Sequence, residues 1–188
     1  MTLLDDFFGR DVRVVARELV GSKLLVDGVG GIIVETEAYA PDDPASHSFS
    51  GRTSRNATMF GPPGRLYVYR SYGVHWCANV VSDEDGVGAA VLLRALEPTT
   101  GLDAMRARRG VDDPLLLASG PGRLTQALEI SGAHDGLDLA SPPFALVAPE
   151  SSPDVVESTR VGITRAADRP WRYSLAGSTF VSRPRPRA

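Results

Sequence analysis

The chain has 188 residues, a formal net charge of −3 and 43% hydrophobic residues, with 19 Gly and 14 Pro. That length makes one globular domain the simplest organisation and lets the fold bury roughly two thirds of its surface. No apolar stretch approaches the roughly 20 residues of a membrane span, and the acidic balance excludes an indiscriminate nucleic-acid coat driven by counterion release.

In chain order, the opening Met1-Thr2-Leu3-Leu4-Asp5-Asp6 is acidic and lacks the character of a secretory leader, so a cytoplasmic location is expected. Residues 11–20 place Val12, Val15, Ala16, Leu19 and Val20 on one helical face and stop at Gly21, which predicts an amphipathic helix. Strands are predicted at 22–27 and 31–39. Side chains alternate along a strand, so Glu35, Glu37 and Tyr39 share one face while Thr36 and Ala38 take the other. Residues 40–64 are dense in Pro, Ser, Gly and Asp and contain Arg52, Arg55 and Asn56. Loops of that length inside a compact domain are functional or disordered.

Strands follow at 65–70, 74–82 and 88–97, the last two joined by the hairpin-type turn Asp83-Glu84-Asp85-Gly86. The first sets Tyr67 and Tyr69 on one face and Leu66 and Val68 on the other; the second separates His75, Cys77 and Asn79 from Val74, Trp76, Ala78 and Val80. Between them the turn Ser71-Tyr72-Gly73 offers a tyrosine at an exposed tip. Arg94 stands alone in the apolar run of residues 89–96, and an arginine there needs a partner, Glu37 or Glu35. Two carboxylates and three tyrosines thus converge. Helices are predicted at 100–109 and 124–130, the second started by Ser119-Gly120-Pro121-Gly122, either an ordinary cap or a phosphate site built from free N–H groups. Residues 144–147 and 160–164 read as late strands, and the Arg/Pro tail 183–188 as disordered.

Cys77 is the only cysteine, so neither an internal disulfide nor a cysteine zinc cluster is possible. His47, His75 and His134 are scattered without the spacing of a metal-binding helix, and no metal is expected. Nineteen of the twenty basic residues are arginine, Lys23 being the exception. Arginine suits bidentate phosphate contacts, though a GC-rich coding sequence has the same effect. Arg52, Arg55, Arg65, Arg70, Arg123 and Arg165 could form a local basic stripe.

Taken together, several ordered motifs resemble the alkyladenine (3-methylpurine) DNA glycosylase family. They are Val34-Glu35-Thr36-Glu37-Ala38-Tyr39, His47, Gly51-Arg52, Arg55-Asn56, Met59-Phe60, Leu66-Tyr67-Val68-Tyr69, Tyr72-Gly73, Cys77, Asn79 and Leu92-Leu93-Arg94-Ala95-Leu96-Glu97-Pro98. Ser119-Gly120-Pro121 and Arg160-Val161-Gly162-Ile163 extend the similarity. No single motif would suffice; their number and order carry the resemblance.

The resemblance implies a monofunctional enzyme that flips a damaged purine from duplex DNA and hydrolyses its bond to the sugar. Glu37 matches the carboxylate that activates the water, and Arg94 the arginine that would keep Glu37 ionised at neutral pH. Tyr39, His47 and Tyr69 match the walls that stack on the base, and Asn79 a pocket residue that disfavours the amino group of normal guanine. Tyr72 matches the wedge that fills the vacated place. Arg52, Arg55, Ser119, Gly120 and Arg123 are expected to meet phosphates, while Tyr67, His75 and Cys77 read as structural. Lys23 lies far from the motifs, so no strand-nicking Schiff-base chemistry is expected. The fold expected is one α+β domain over residues 1–182, a curved, mostly antiparallel sheet with surrounding helices.

A monomer acting without cofactor on double-stranded DNA containing damaged purines is thus expected. The missing basic N-terminal extension, the short 39–47 loop and His75-Trp76 depart from the family pattern. They place 3-methyladenine and 7-methylguanine ahead of hypoxanthine and etheno-adenine as substrates. Two rivals stay open: a lesion-binding protein without catalysis, and a metal-dependent hydrolase using His47, His75 and carboxylates.

Overall fold

The computed structural model describes residues 3–183. In chain order it contains α1 (Leu3–Phe8), α2 (Val12–Leu19), β1 (Lys23–Val26), β2 (Val29–Tyr39), β3 (Leu66–Ser71), β4 (His75–Ser82), β5 (Ala89–Thr100), α3 (Leu102–Arg109), α4 (Pro121–Ala127), β6 (Phe144–Val147), β7 (Val155–Ser158) and β8 (Arg172–Leu175). All the strands join one antiparallel sheet in the order β3-β4-β5-β2-β1-β6. β2 is flanked along one edge by β5; on its other edge β1 covers the first half and β8, carrying β7, covers the second. Register shifts between Gly30 and Gly31 and between Ile33 and Thr36 mark bulges that bend the strand. The result is a curled α+β domain, as the strand pattern led one to expect.

The period-2 alternation divides the sheet into two faces. On one, Ala38, Leu66, Val68, Ala78, Val80, Val91 and Leu93 are buried together with Val12, Val15, Ala16 and Leu19 of α2, Met105 of α3 and Leu124 and Ala127 of α4. Thr36 shares this face and donates its hydroxyl to the Ala16 carbonyl at 2.7 Å, tying β2 to α2. Asp11 caps α2 by accepting from the Arg13 N–H at 2.9 Å. Each fully buried leucine on this face contributes roughly 1.5–3 kcal/mol, and truncating Leu19 to alanine would cost about 2–5 kcal/mol. The opposite face carries Glu35, Glu37, Tyr39, Tyr67, Tyr69, Asn79 and Arg94.

Two expectations are corrected. The helix expected at 124–130 is α4, which starts at Pro121 because proline is already shaped for a first helical turn, and ends at Ala127. Residues 160–164 form a loop and no strand; Gly162 at φ 77 breaks the extended backbone that Val161 and Ile163 seemed to require. The late strands on either side of that loop, β7 and β8, were both unexpected. Beyond Arg183 the Arg/Pro tail lies outside the described residues. Among the described residues no helix is long and apolar enough to cross a membrane.

Candidate active site

The polar and aromatic face of the sheet opens into a cavity of about 640 Å³. Its floor and walls come from Tyr39 of β2, Tyr67 and Tyr69 of β3, Cys77 and Asn79 of β4 and Leu92 and Arg94 of β5. Two loops complete it: one bearing Pro44, Ala45, His47, Arg55 and Met59, the other residues 161–165. The first is the long stretch after β2, and buried Asn56 gives it a fixed shape. The Asn56 amide donates to the His47 and Gly51 carbonyls at 2.9 and 3.1 Å and accepts from the Thr53 N–H at 2.6 Å.

Glu35 and Glu37 are both fully buried on this face. Glu35 accepts from Arg94 Nε at 2.9 Å, Arg172 Nε at 2.7 Å, and the Ser182 N–H and hydroxyl at 2.5 and 2.8 Å. Burial alone would raise its pKa, but the two guanidinium groups and the Ser182 donors prevail and hold it below the ordinary carboxylate value. Glu37 accepts from the Val161 N–H at 2.8 Å and the Tyr39 hydroxyl at 2.8 Å, with Arg94 Nη1 at 3.3 Å. Here burial prevails. Arg94, Val161 and Tyr39 favour the anion, Glu35 opposes it, and the pKa stands above the ordinary value. Arg94 is thus shared, with its shorter contact to Glu35, and at Glu37 its charge is the leading influence favouring the anion but is outweighed by burial. A carboxylate offers about four lone-pair sites, and these three donors leave room for one more. Glu37 lies behind Tyr39, Arg94 and Val161, all of which line the cavity.

The aromatic walls are neutral. His47 Nδ1 lies 3.0 Å from the Tyr67 hydroxyl, and its ring meets that of Tyr69 edge-on at 4.5 Å. Burial, then the charge of Arg55, pushes the His47 pKa down. Burial is also the leading cause that pushes Tyr67 up to about 12 and raises Tyr39 and Tyr69. Tyr67, expected behind the pocket, lines it. Asn79 donates its amide to the Tyr67 carbonyl at 3.0 Å, so its orientation is set by the adjoining strand.

Tyr72 projects from the tip of the β3–β4 hairpin with 93% of its surface exposed. The Val74 N–H closes the turn on the Ser71 carbonyl at 2.9 Å. Tyr72 and Gly73 both have positive φ, 48 and 69, the pattern of a tight hairpin turn. Glycine tolerates this; a tyrosine there carries strain of order 1 kcal/mol, and such outliers gather at functional positions.

The other expected contacts are placed unevenly. Arg55, Arg70 and Arg165 line the cavity with Tyr72 and His75. Arg52 is exposed on the 40–64 stretch, while Arg65 pairs with Asp138 at 3.8 Å. The Ser119 hydroxyl donates to the Leu115 carbonyl at 2.7 Å and accepts from Arg123 at 3.1 Å, and the Gly120 N–H turns to the Ala118 carbonyl. Those donors are engaged within the turn, and Pro121 has none. His134 accepts from the Ser131 N–H at 3.2 Å. Among the described residues no group of three or more His, Cys, Asp or Glu is arranged to hold a metal ion. Lys23 lies on β1, between Ile32 and Val147 in register.

Sequence reasoning missed Arg172, Ser182 and Val161 as partners of the carboxylates. A buried carboxylate without enough local donors was the available signal; the backbone N–H of Val161 leaves no residue-type trace.

Known proteins resemble this chain along most of its length. The family model for methylpurine-DNA glycosylases matches residues 6–179. The chain is 62% identical over 178 residues to a protein of Rhodopseudomonas palustris (strain HaA2), covering 95% of this chain and 89% of that one. It is 61% identical over 178 residues to one of Nitrobacter winogradskyi, covering 95% and 86%, and 59% identical over 170 residues to one of Nitrosospira multiformis, covering 90% and 88%. Each of the three bears the provisional name 3-methyladenine DNA glycosylase. The chain belongs to the methylpurine-DNA glycosylase family, and with it to the monofunctional DNA glycosylases of DNA repair.

Proposed function

We propose that the protein flips alkylated purines, 3-methyladenine and 7-methylguanine foremost, out of duplex DNA and hydrolyses their N-glycosidic bonds with a water activated by Glu37. The observation that carries this reading is a buried carboxylate of raised pKa set directly behind a cavity walled by Tyr39, His47, Tyr67 and Tyr69. A base must leave the stack to be reached, at a cost of a few kcal/mol. Tyr72 offsets part of that cost by taking the vacated place, and the phenol rings offset more by stacking on the extruded base. A cationic alkylpurine gains most from neutral, electron-rich walls. The low pKa of His47 keeps a competing positive charge out of the pocket.

Glu37 accepts a proton from water as that water attacks the anomeric carbon, and its charge stabilises the oxocarbenium-like sugar. A pKa above the ordinary carboxylate range makes it a stronger base than an exposed glutamate. Cationic lesions depart as neutral bases, so no general acid is needed. Asn79 disfavours the exocyclic amino group of normal guanine. Arg52, Arg55 and Arg123 meet phosphates; Ser119 and Gly120 contribute less, their donors being engaged. The reaction stops at an abasic site, since the cavity holds no lysine for a Schiff base.

The test is a panel of duplexes carrying 3-methyladenine, 7-methylguanine, hypoxanthine or etheno-adenine, scored for free base with wild type and Glu37→Gln. Release of the two alkylated bases by wild type and its loss in the variant are expected. A wild type that binds an abasic analogue but releases nothing would identify a lesion-binding protein instead. Loss of activity in excess chelator would favour the metal-dependent alternative.

A further inference from the structure

We infer that the buried pair Asp43–Arg160 is the positioning element of this site, holding the ring of Tyr39 and the Val161 N–H against Glu37. The inference rests on the reading of Glu37 above. Both side chains are fully buried. Asp43 belongs to the loop after β2, and Arg160 to the loop between β7 and β8. The Arg160 guanidinium donates to both Asp43 carboxylate oxygens, to the Ala38 carbonyl at 3.0 Å and to the Ala166 carbonyl at 3.2 Å. One planar group thereby ties the end of β2, the first cavity loop and the far end of the second.

Its flat face does the rest. The guanidinium carbon lies 4.7 Å from the centroid of the Tyr39 ring and 5.3 Å from that of Trp171. The hydroxyl of that same Tyr39 donates to Glu37, and the N–H of the next residue, Val161, donates to the other carboxylate oxygen. Tyr39 is both a wall of the cavity and a hydrogen-bond donor to the carboxylate, so a shift of Arg160 moves a cavity wall and the water-activating carboxylate together. A buried ion pair is weak evidence for stability, because desolvation offsets its attraction, and here it leaves Arg160 Nε without a partner. Its part in the site is better explained by geometry. Catalysis demands that geometry, since a misplacement of about 1 Å costs on the order of 100-fold. Lysine keeps the charge but cannot reproduce the fork.

Single-turnover release of 7-methylguanine from a duplex, measured against pH, tests this with wild type, Arg160→Lys, the double variant Asp43→Asn/Arg160→Gln and Glu37→Gln. The double variant removes both charges at once and avoids leaving one buried and unpaired. The groups facing Glu37 are Arg94 from β5, Glu35 and Tyr39 from β2, Tyr69 from β3, Cys77 from β4 and the Val161 N–H, with Arg160 beyond the Tyr39 ring. Arg160→Lys and the double variant are expected to fold and to bind an abasic-site duplex within about threefold of wild type. They should release base roughly 10- to 100-fold more slowly. Their acid limb should move to higher pH, because Glu37 loses a donor that favours its anion. Wild-type rates and an unmoved limb in both variants would overturn the inference, as would failure of both to fold, which would make the pair a fold-holding contact. If Glu37→Gln also released base at the wild-type rate, the fault would lie with the reading of Glu37 itself.

Discussion

Glu35 and Glu37 stand two residues apart on one strand, on one face, equally buried, and share Arg94, yet their surroundings drive them in opposite directions. Glu35 is ringed by two guanidinium groups and two Ser182 donors, which fix it as an anion. Glu37 has one guanidinium, Arg94, at 3.3 Å and only neutral donors besides, so burial dominates. On the proposed reading, one carboxylate serves the structure and the other the reaction beside the cavity. What separates them is the number of fixed donors, not exposure or residue type.

Exchanging each for its amide sharpens the contrast. Glu37→Gln removes the base and should slow single-turnover base release by about 10²- to 10⁴-fold, while its melting temperature holds or rises. Glu35→Gln strips the anion from two buried arginines and should destabilise the fold by about 3 kcal/mol, lowering Tm by roughly 6–12 °C in a calorimetric scan. Because its folded pKa is depressed, Glu35 contributes stability above the unfolded value near 4.5 that is lost as pH falls through the folded pKa. Acid unfolding of wild type should therefore begin below that value, and the Glu35→Gln variant should show a weaker pH dependence there.

Smaller effects probe the pocket. Tyr72→Ala should weaken binding to an abasic-site duplex about tenfold, in line with the roughly 1–3 kcal/mol of one stacking contact, with Tm within about 2 °C of wild type. Unfolding would remove it from the tip role. His47 gives the least effect. As pH falls through its depressed pKa it gains a charge, and KM for cationic 7-methylguanine should rise about fivefold, equivalent to ~1 kcal/mol of repulsion. KM for neutral hypoxanthine should not move.

Much of this was legible in the residues. Strict alternation assigned Glu35, Glu37, Tyr39, Tyr67, Tyr69 and Asn79 to one face, because the period of a strand leaves no freedom. Arg94 stood out as a lone charge in an apolar run. Its division between two carboxylates was not legible, since that depends on Arg172 and Ser182, which reach Glu35 from the far end of the chain. The strand β8 escaped for the same reason. Its Arg172 and Ser174 are buried only because they pair with β2. The run Val161-Gly162-Ile163 imitated a strand, but its part is a backbone N–H offered to Glu37 and a stretch of cavity wall.

The division of labour between the two carboxylates is tested most directly by the pH dependence of single-turnover 7-methylguanine release. A single acid limb with its midpoint above the ordinary glutamate value of 4.5, present in wild type and absent from the residual activity of Glu37→Gln, is the expected result. A midpoint at or below that value, or a limb that survives the loss of the Glu37 carboxylate, would contradict the account.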